Sequence, residues 1–309
     1  MTAPKALQLK LKSPDFMAVS GSKLYGTNRP TSDDDLRGFI IPPHEYLLDT
    51  ACHKENKAFP EGLEDSFDDR QLGDDDHKVC SARKFLHMTM KGDPQNTELF
   101  FVPEDKIVSE SAAGNAIIEL RDLVVSNVIY TRVMGYGNSE WRKAMGVKLE
   151  VTKQSKKLKD IVNDIRNECP ELDKYDMDSI IEIMMSKKPT RLVPSKQDLG
   201  EKRKLEFEKY GFGVTSAAHA IRLREEMTEL MLTGNITFPR PNAAMLLDIR
   251  MGKYDIPQVT EMFEAATAKA EEARPKSILQ DKPKRFEVLA RYDEIVRRHL
   301  LSDERFMAV

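Results

Sequence analysis

Residues 19–41 read VSGSKLYGTNRPTSDDDLRGFII, an apolar entry and a turn of small residues followed by a second apolar run that carries carboxylates. The apolar residues 16–19 predict a strand that ends just before Gly21 and Ser22. A short helix is predicted from Lys23, so its first backbone N–H groups and the hydroxyl of Ser22 would face an anion. This part of the sequence therefore predicts a phosphate-binding turn.

The second half of the stretch predicts a pair of neighbouring carboxylates. Side chains alternate faces along a strand, so in a strand predicted over residues 32–41 Asp33 and Asp35 share one face and Asp34 takes the other. Two ionised carboxylates close together repel each other, and Mg²⁺ bound between them removes that cost. Arg37 would lie on the same face and offers the alternative, a pair neutralised without metal.

The Gly-Ser turn and the two carboxylates together are more specific than either feature alone. A Gly-Ser pair, ten intervening residues and Asp-x-Asp leading into an apolar strand resemble the signature of the DNA polymerase β-like nucleotidyltransferases. Residues 21–43, GSKLYGTNRPTSDDDLRGFIIPP, are similar to the opening of the predicted RNA-repair-pathway nucleotidyltransferases of bacteria and phages. The resemblance implies transfer of a nucleoside monophosphate from an NTP, with ATP favoured, to an acceptor hydroxyl. It also implies Mg²⁺ or Mn²⁺ as the cofactor.

A third carboxylate comes from residues 97–102, TELFFV, which predict a short strand with Glu98 near its start. A lone Glu in such a strand is costly to bury unless it is paired or binds a metal, and exposure at the strand end is the alternative. The family has a Gly-Asn-Pro-Asn-like turn followed by Leu-Glu-Leu-Leu, which residues 92–95 and 98–101 match with Asp93 in place of the usual Asn. The catalytic and metal-binding set that the resemblance implies is Asp33, Asp35 and Glu98.

Further nucleotide contacts are predicted in the second half of the chain. His219 and Arg222 are three residues apart on a predicted helix and so share a face. The family shows a similar His-x-x-Arg-Leu helix, although it often has Lys four residues earlier, where this chain has Thr215. Arg250 and Lys253 match the family's Ile-Arg-x-Gly-Lys pattern. The predicted nucleotide-binding set is Gly21, Ser22, Lys23, Arg37, His219, Arg222, Arg250 and Lys253.

The acceptor is predicted from residues 132–159, which hold eight basic residues against two acidic ones, together with Tyr136 and Trp141. Basic residues interleaved with aromatics suit phosphate contacts and base stacking, and a solvated helix face is the alternative. With the family's placement beside RNA repair, this pattern predicts an RNA acceptor, at the 3′ hydroxyl of a tRNA-like end. AMP transfer to a protein Ser, Thr or Tyr and a catalytically silent nucleotide- or RNA-binding module remain open.

Length, charge and cysteine content limit these interpretations. A chain of 309 residues with 40% hydrophobic content predicts two domains with a real core. The net charge of −3 excludes a general polyanion binder, and the acidic run over residues 61–76 predicts a solvated loop without chemistry. Three separated cysteines predict neither disulfides nor a zinc site. Without a long apolar run or a signal-peptide core, the chain is expected to be cytoplasmic, with no membrane partner.

The predicted fold class is α+β. A small mixed sheet in a nucleotidyltransferase domain is expected over residues 1–104, followed by an α-helical domain that binds nucleotide and substrate over residues 105–309. Among the predicted helices, three have clear limits, at residues 78–90, 112–130 and 285–301.

Overall fold

A computed structural model of the chain describes residues 13–30, 32–41, 67–68, 77–151, 190–194 and 201–301. Contacts divide the chain into two units, residues 1–138 with 217–309, and residues 139–216. This division does not follow the predicted boundary at residue 104, because apolar residues from beyond that point, such as Leu223 and Val288, belong to the same core as the sheet. The predicted separation of catalytic and substrate-binding functions stays a prediction.

The sheet lies in the first unit. Its strands are β1 (Phe16–Val19), β2 (Leu36–Ile40), β3 (Phe67–Asp68), β4 (His77–Ser81) and β5 (Ile107–Glu110). They are ordered β3-β4-β2-β1-β5. The β2–β4 pair is parallel and the other neighbouring pairs are antiparallel. The predicted α+β class and the mixed sheet are therefore confirmed.

Helices make up most of the remaining regular structure. Before residue 150 they are α1 (Gly21–Tyr25), α2 (Ala82–Met90), α3 (Pro94–Glu98), α4 (Ala112–Ile118), α5 (Arg121–Val124) and α6 (Val128–Ala144). After residue 200 they are α7 (Glu201–Tyr210), α8 (Val214–Thr233), α9 (Ala243–Arg250), α10 (Ile256–Ala273) and α11 (Arg285–Leu301). The limits predicted for the last helix are confirmed. No helix in the described part of the chain is long and apolar enough to cross a membrane.

The helix predicted over residues 78–90 starts too early. Val79 and Cys80 are both buried and belong to β4. Consecutive buried residues are typical of a strand covered on both faces, whereas an amphipathic helix buries every third or fourth residue. The Ser81 side chain accepts a hydrogen bond from the Lys84 backbone N–H at 3.1 Å, which caps the first turn of α2. The helix therefore begins at Ala82, directly after the strand.

The prediction of one helix over residues 112–130 is also wrong. The chain forms α4 and α5 and then the start of α6, because the backbone becomes extended at Val125. The Asn127 side chain donates a hydrogen bond to the Leu279 carbonyl oxygen at 3.1 Å, and this long-range contact fixes the break before α6. Tertiary contacts thus override a local helical pattern.

Residues 97–102 do not form the predicted strand. Asp93 caps α3 by accepting from the Asn96 backbone N–H at 2.9 Å, and Pro94 occupies its first turn. Glu98 is the last residue of α3, and Leu99–Phe101 continue as a 3₁₀-helix. A short apolar run fits a buried helix as well as a strand, and the cap decides between them.

Stacked aromatic rings connect the sheet to α2 and to the 3₁₀-helix. The ring centroids of Phe16 and Phe39 are 5.6 Å apart, those of Phe39 and Phe85 are 4.5 Å apart, and those of Phe85 and Phe100 are 4.9 Å apart. All four side chains are buried. This packing fixes β1, β2 and α2 relative to one another, and with them the residues at their ends.

The second unit contains an antiparallel pair, β6 (Val147–Val151) and β7 (Thr190–Pro194), together with α7 and parts of α6 and α8. Thr215, which replaces the family's Lys, donates its backbone N–H to Glu206 at 3.2 Å. Residues 152–159 of the predicted basic stretch lie outside the described residues. So does the acidic run over residues 61–76, apart from the two residues of β3.

Candidate active site

The end of β1 and the start of β2 bring the Gly-Ser turn against Asp35. Val19 is the register partner of Leu36, and the Ser20 backbone N–H donates to the Asp35 carbonyl oxygen at 2.8 Å. Gly21 has a φ of +62°, and a Cβ at this position would overlap the Asp35 carboxylate. Only glycine therefore allows the backbone to lie this close to the carboxylate.

A small cavity of about 100 Å³ lies at this junction. Its lining residues are Ser20, Gly21, Tyr25, Asp35, Leu36, Arg37, Lys78, Gln95 and Glu98. Two of the three predicted catalytic carboxylates, Asp35 and Glu98, thus share one cavity with Gly21 and Arg37. Two carboxylates and two cations line the same space, so the charges of the protein balance there.

Asp33 and Asp34 are exposed and precede β2, which begins at Leu36 and not at residue 32. The strand predicted over residues 32–41 is wrong at its start, because only the Asp35 carbonyl continues the pairing with β1. Asp34 forms an ion pair with Lys23. Asp33 is not among the residues that line the cavity.

Glu98 is buried, with 3% of its surface exposed, and both of its oxygens are hydrogen-bonded. The Tyr25 hydroxyl donates to Oε2 at 2.7 Å, and Nη1 of Arg222 donates to Oε1 at 2.9 Å. The Arg222 guanidinium also lies 3.6 Å from the centroid of the Tyr25 ring. Burial raises the pKa of Tyr25 well above its ordinary value, so its hydroxyl stays a neutral donor. Glu98 is therefore buried as a paired carboxylate.

Arg222 joins Glu98 to a second buried carboxylate, Glu226. Its Nη1 donates to both Glu226 oxygens at 2.6 Å, and Nε of Arg240 lies 3.8 Å from Oε1 of Glu226. Burial raises the pKa of Glu226 to about 7, and Glu98 acts in the same direction. Burial lowers the pKa of Arg222, but Glu226, Tyr25 and Glu98 together raise it well above its ordinary value. Arg222 is thus a permanent cation between two carboxylates.

His219 lies one helical turn from Arg222 on α8, as the spacing predicts. Its Nδ1 is 3.5 Å from Nη2 of Arg222, and its ring meets Tyr136 edge-to-face with centroids 5.5 Å apart. Neither His219 nor Arg222 lines the cavity beside Asp35. Their predicted contact with nucleotide stays a prediction.

Two other predicted nucleotide-binding residues, Ser22 and Arg250, contact the loop that follows α1. Nη1 of Arg250 donates to the Thr27 carbonyl oxygen, and Arg29 donates to the Arg250 carbonyl oxygen. The Ser22 carbonyl oxygen accepts from the Thr27 N–H at 2.9 Å, so Ser22 and Arg250 hold the same loop. Lys253 is exposed and pairs with Asp248 at 2.7 Å, which raises the pKa of Lys253.

Five lining residues of the cavity were not predicted from the sequence: Ser20, Tyr25, Leu36, Lys78 and Gln95. Lys78 was assigned to a helix, but in β4 it is the register partner of Arg37 on β2. Neighbouring residues in register on paired strands point to the same face, so assigning residues 77–81 to a strand beside β2 would have identified Lys78. No local pattern marks Tyr25 as the partner of a carboxylate 73 residues later.

The donor chemistry beside the Gly-Ser turn suits a hard cation in part. Asp33 and Asp35 supply the carboxylate oxygens that Mg²⁺ prefers. Within the described ranges, no group of three His, Cys, Asp or Glu side chains has an arrangement that could hold a metal ion. Glu98 already accepts from Tyr25 and Arg222, which leaves part of its lone-pair capacity. These carboxylates have the ligand chemistry of a Mg²⁺ site, and a cation bound by Asp33, Asp35 and Glu98 stays a prediction.

Gly21→Ala is expected to reduce turnover at least tenfold and to lower the free energy of unfolding by about 1–2 kcal/mol, because Ala is strained at positive φ. The new Cβ would also displace the Asp35 carboxylate. Gly135→Ala is the matched control, since nothing lies within 4 Å of a Cβ placed there in α6. It should stabilise the helix by about 0.5–1 kcal/mol. Urea unfolding and steady-state assays measure both effects, and equal behaviour of the two variants would contradict the close approach at Gly21.

Residues 15–167 match the model of a family described as RlaP, RNA repair pathway DNA polymerase beta family. The matched segment includes the Gly-Ser turn and all three predicted catalytic carboxylates, and it confirms the family predicted from the sequence. A protein of Enterobacteria phage T4, described as an uncharacterized 38.9 kDa protein in the nrdC-mobD intergenic region, is also similar. The identity is 21% over 332 residues, covering 92% of this chain and 96% of that protein. No solved structure gives a significant match.

Proposed function

Residues 15–167 belong to the RNA repair pathway DNA polymerase beta family, a polymerase β-like nucleotidyltransferase family, and from this premise we propose the reaction of the chain. The chain transfers a nucleoside monophosphate from an NTP, with ATP favoured, to an acceptor hydroxyl. The observation that carries this proposal is the Gly21 backbone packed against the Asp35 carboxylate, in a cavity that Glu98 also lines. A phosphate held at the turn would lie directly beside that carboxylate.

Each residue at the cavity beside Asp35 has a distinct role in the proposed reaction. Gly21 and Ser22 bind the triphosphate of the NTP through the turn. Arg37, which lines the same cavity, offsets the negative charge of the phosphates. Glu98 holds a fixed negative charge at the other wall of the cavity, because Tyr25 and Arg222 orient its two oxygens.

Mg²⁺, or Mn²⁺, is the proposed cofactor, with Asp33 and Asp35 as its first ligands and Glu98 as the third. Such ions, when bound, activate the acceptor hydroxyl and stabilise the leaving pyrophosphate. The position of Asp35 supports this proposal. Its backbone is fixed to Ser20 by a hydrogen bond of 2.8 Å, and its carboxylate packs against Gly21. Asp33 is exposed and precedes Asp35 by two residues, so we propose that it reaches the same ion from the solvent side.

The proposed acceptor is RNA, at the 3′ hydroxyl of a tRNA-like end. Two exposed residues on α6, Arg132 and Tyr136, support an RNA surface because they offer a cation and an aromatic ring close together in sequence. The family description, which names RNA repair, supports the same acceptor.

A catalytically silent nucleotide-binding module is the second candidate, and one observation favours it. Arg37 and Lys78 line the same cavity as Asp35 and Glu98, so the protein's own cations balance these carboxylates. In such a module the nucleotide would bind through phosphate contacts alone, without a metal.

Metal-dependent binding separates the two candidates. For an enzyme, the affinity of the full chain for labelled ATP should fall at least tenfold when Mg²⁺ is replaced by excess EDTA, because the metal bridges carboxylates and phosphates. Asp35→Asn should bind equally with and without EDTA. Unchanged binding by the parent chain in EDTA would support the silent module instead.

A further inference from the structure

We propose that a groove between α2 and α11 binds a single strand of RNA beside the active site. Cations on both helices contact its phosphates, and Phe286 stacks on a base. The groove has a volume of about 360 Å³, and residues of both helices line it. That this strand carries the acceptor hydroxyl rests on the proposed function, whereas the binding of RNA in the groove does not.

Each helix contributes one exposed arginine to the groove, Arg83 on α2 and Arg285 on α11. Neither guanidinium has an ion-pair partner in the part of the chain that the structure describes. The described residues that line the groove include no Asp or Glu. A guanidinium can donate two parallel hydrogen bonds to a phosphate, so the two arginines suit an RNA backbone.

His87 on α2 shows that cations of the two helices lie close together. Its side chain lines the groove. Burial lowers the pKa of its imidazole, and the cations Lys91, Arg285 and Arg83 lower it further. Because Arg285 belongs to α11, a positive potential from both helices reaches His87. An anion that enters the groove is attracted by both helices.

The sequence of the two helices supports the same sign of charge. Residues 81–91 hold three basic residues and no acidic one, and residues 282–292 hold four basic residues and one acidic one, Glu287. Glu287 is two positions from Arg285, and such positions point to different faces of a helix. It is not among the residues that line the groove, so the charged side chains in that lining are all basic.

Phe286 offers an exposed aromatic ring at the edge of the groove. Its surface is 89% exposed, the largest exposed fraction among the large apolar side chains of the described residues. It directly follows Arg285 and precedes Leu289, which lines the groove, by three residues. Residues three apart on a helix are neighbours. A ring beside cations is the arrangement that binds single-stranded nucleic acid, because the ring stacks on a base while the cations contact phosphates.

Shared lining residues connect the groove to the proposed active site. Lys84 lines both the groove and a smaller cavity of about 170 Å³. Arg37 and Lys78 line both that smaller cavity and the cavity beside Asp35. The three spaces are therefore neighbours, and a strand held in the groove can place its end near Asp35.

The end of α2 also meets the RNA surface proposed on α6. Nε of Arg132 donates to the Lys91 carbonyl oxygen at 3.2 Å, and Lys91 directly follows α2. Lys91 also acts on the imidazole of His87, which lines the groove. Arg132 and the groove therefore form one continuous basic surface.

The probe is a labelled single-stranded RNA of about twelve nucleotides, a length typical of single-strand binding sites, titrated with the full chain without NTP. Phe286→Ala should weaken binding about tenfold, because one base loses its stacking surface. Phe286→Tyr keeps the ring and should stay within about threefold of the parent, whereas Phe286→Leu should weaken binding as Phe286→Ala does. Fluorescence anisotropy measures the affinities, and circular dichroism establishes that each variant is folded.

The salt dependence of binding tests the two arginines. Arg83→Gln with Arg285→Gln should reduce the slope of log affinity against log salt by about 1.4, since each phosphate contact on a single strand contributes about 0.7. Lys269→Gln with Lys276→Gln is the matched control, because it removes two exposed cations that lie outside the groove. The control should change the slope by less than about 0.3.

The proposal is overturned if the folded parent does not bind the RNA, or if either Phe286→Ala or the double arginine variant binds it within about twofold of the parent. It is also overturned if the lysine control loses as much slope as the arginine variant, because the effect would then come from general surface charge. The apolar lining residues Leu86, Met90 and Val288 would then fit an amphipathic helix of a protein partner instead.

Nucleotidyl-transfer assays separate the groove from the proposed function. If the chain transfers nucleotide to RNA, Phe286→Ala should raise the KM for RNA and leave the KM for ATP unchanged. If the chain transfers no nucleotide but the groove variants still lose RNA binding, the groove binds RNA and the proposed function fails. Transfer to RNA with an unchanged KM for RNA in the groove variants keeps the proposed function and overturns the groove.

Discussion

Asp35→Asn should lower nucleotidyl transfer by at least about a hundredfold, a loss typical of removing one group that stabilises charge in a transition state. The substitution keeps the shape of the side chain but removes its charge beside Gly21, where the phosphate is proposed to bind. The neighbouring Asp34 provides the control, because it is exposed and paired with Lys23 at the surface. Asp34→Asn should keep at least about half of the activity, since exposed ion pairs contribute little.

The comparison uses initial rates of label transfer from an α-phosphate-labelled NTP, measured at equal concentrations of folded protein. Circular dichroism and thermal unfolding establish that both variants are folded. Equal loss of activity in Asp34→Asn and Asp35→Asn would contradict the assignment of Asp35, and not of Asp34, to the reaction.

Arg222→Ala is expected to lower the free energy of unfolding by about 3–5 kcal/mol, the range for removing one partner of a buried ion pair. The loss would leave the carboxylates of Glu98 and Glu226 buried without their shared cation. It would also expose one face of the Tyr25 ring, on which the guanidinium lies. Arg298→Ala is the control, because Arg298 and its partner Glu294 are exposed on α11, and it should change stability by less than about 0.5 kcal/mol.

Urea unfolding monitored by circular dichroism measures both variants. A lower urea midpoint with the same dependence of unfolding free energy on urea concentration would show that the substitution lowers stability. It would also show that the surface exposed on unfolding is unchanged. A loss of less than about 1 kcal/mol in Arg222→Ala would mean that the buried cluster does not hold Glu98.

The arrangement of the Gly-Ser turn and Asp35 could be predicted because it depends on local sequence. A short strand, a small-residue turn and a returning strand must place their ends together, and β1 and β2 do so. Glu98 was predicted as a catalytic and metal-binding carboxylate on a strand, and the element was wrong, since the cap at Asp93 makes the segment helical. Its metal-binding role stays a prediction. Its partner Arg222 is 124 residues away, and no period or spacing in the sequence encodes such a pairing.

Lys78 illustrates the limit of pattern analysis in another way. Residues 78–90 contain apolar positions at helical spacing, so the helix was extended over residues that belong to β4. The strand forms because β2 offers a parallel edge for residues 77–81, a long-range pairing that local periodicity does not report. Once the strand is recognised, alternation alone places Lys78 beside Arg37.

The most direct test of the proposed reaction offers the folded chain each of the four α-phosphate-labelled NTPs with Mg²⁺ or Mn²⁺, together with total RNA and total protein. We expect label at RNA 3′ ends, strongest with ATP, and no label with Asp35→Asn. Label on protein bands alone would keep the nucleotidyl transfer and replace the acceptor. No transfer of label from any NTP to RNA or protein by the folded parent chain would contradict the account that Asp35, beside the Gly21 turn, is the centre of a nucleotidyltransferase.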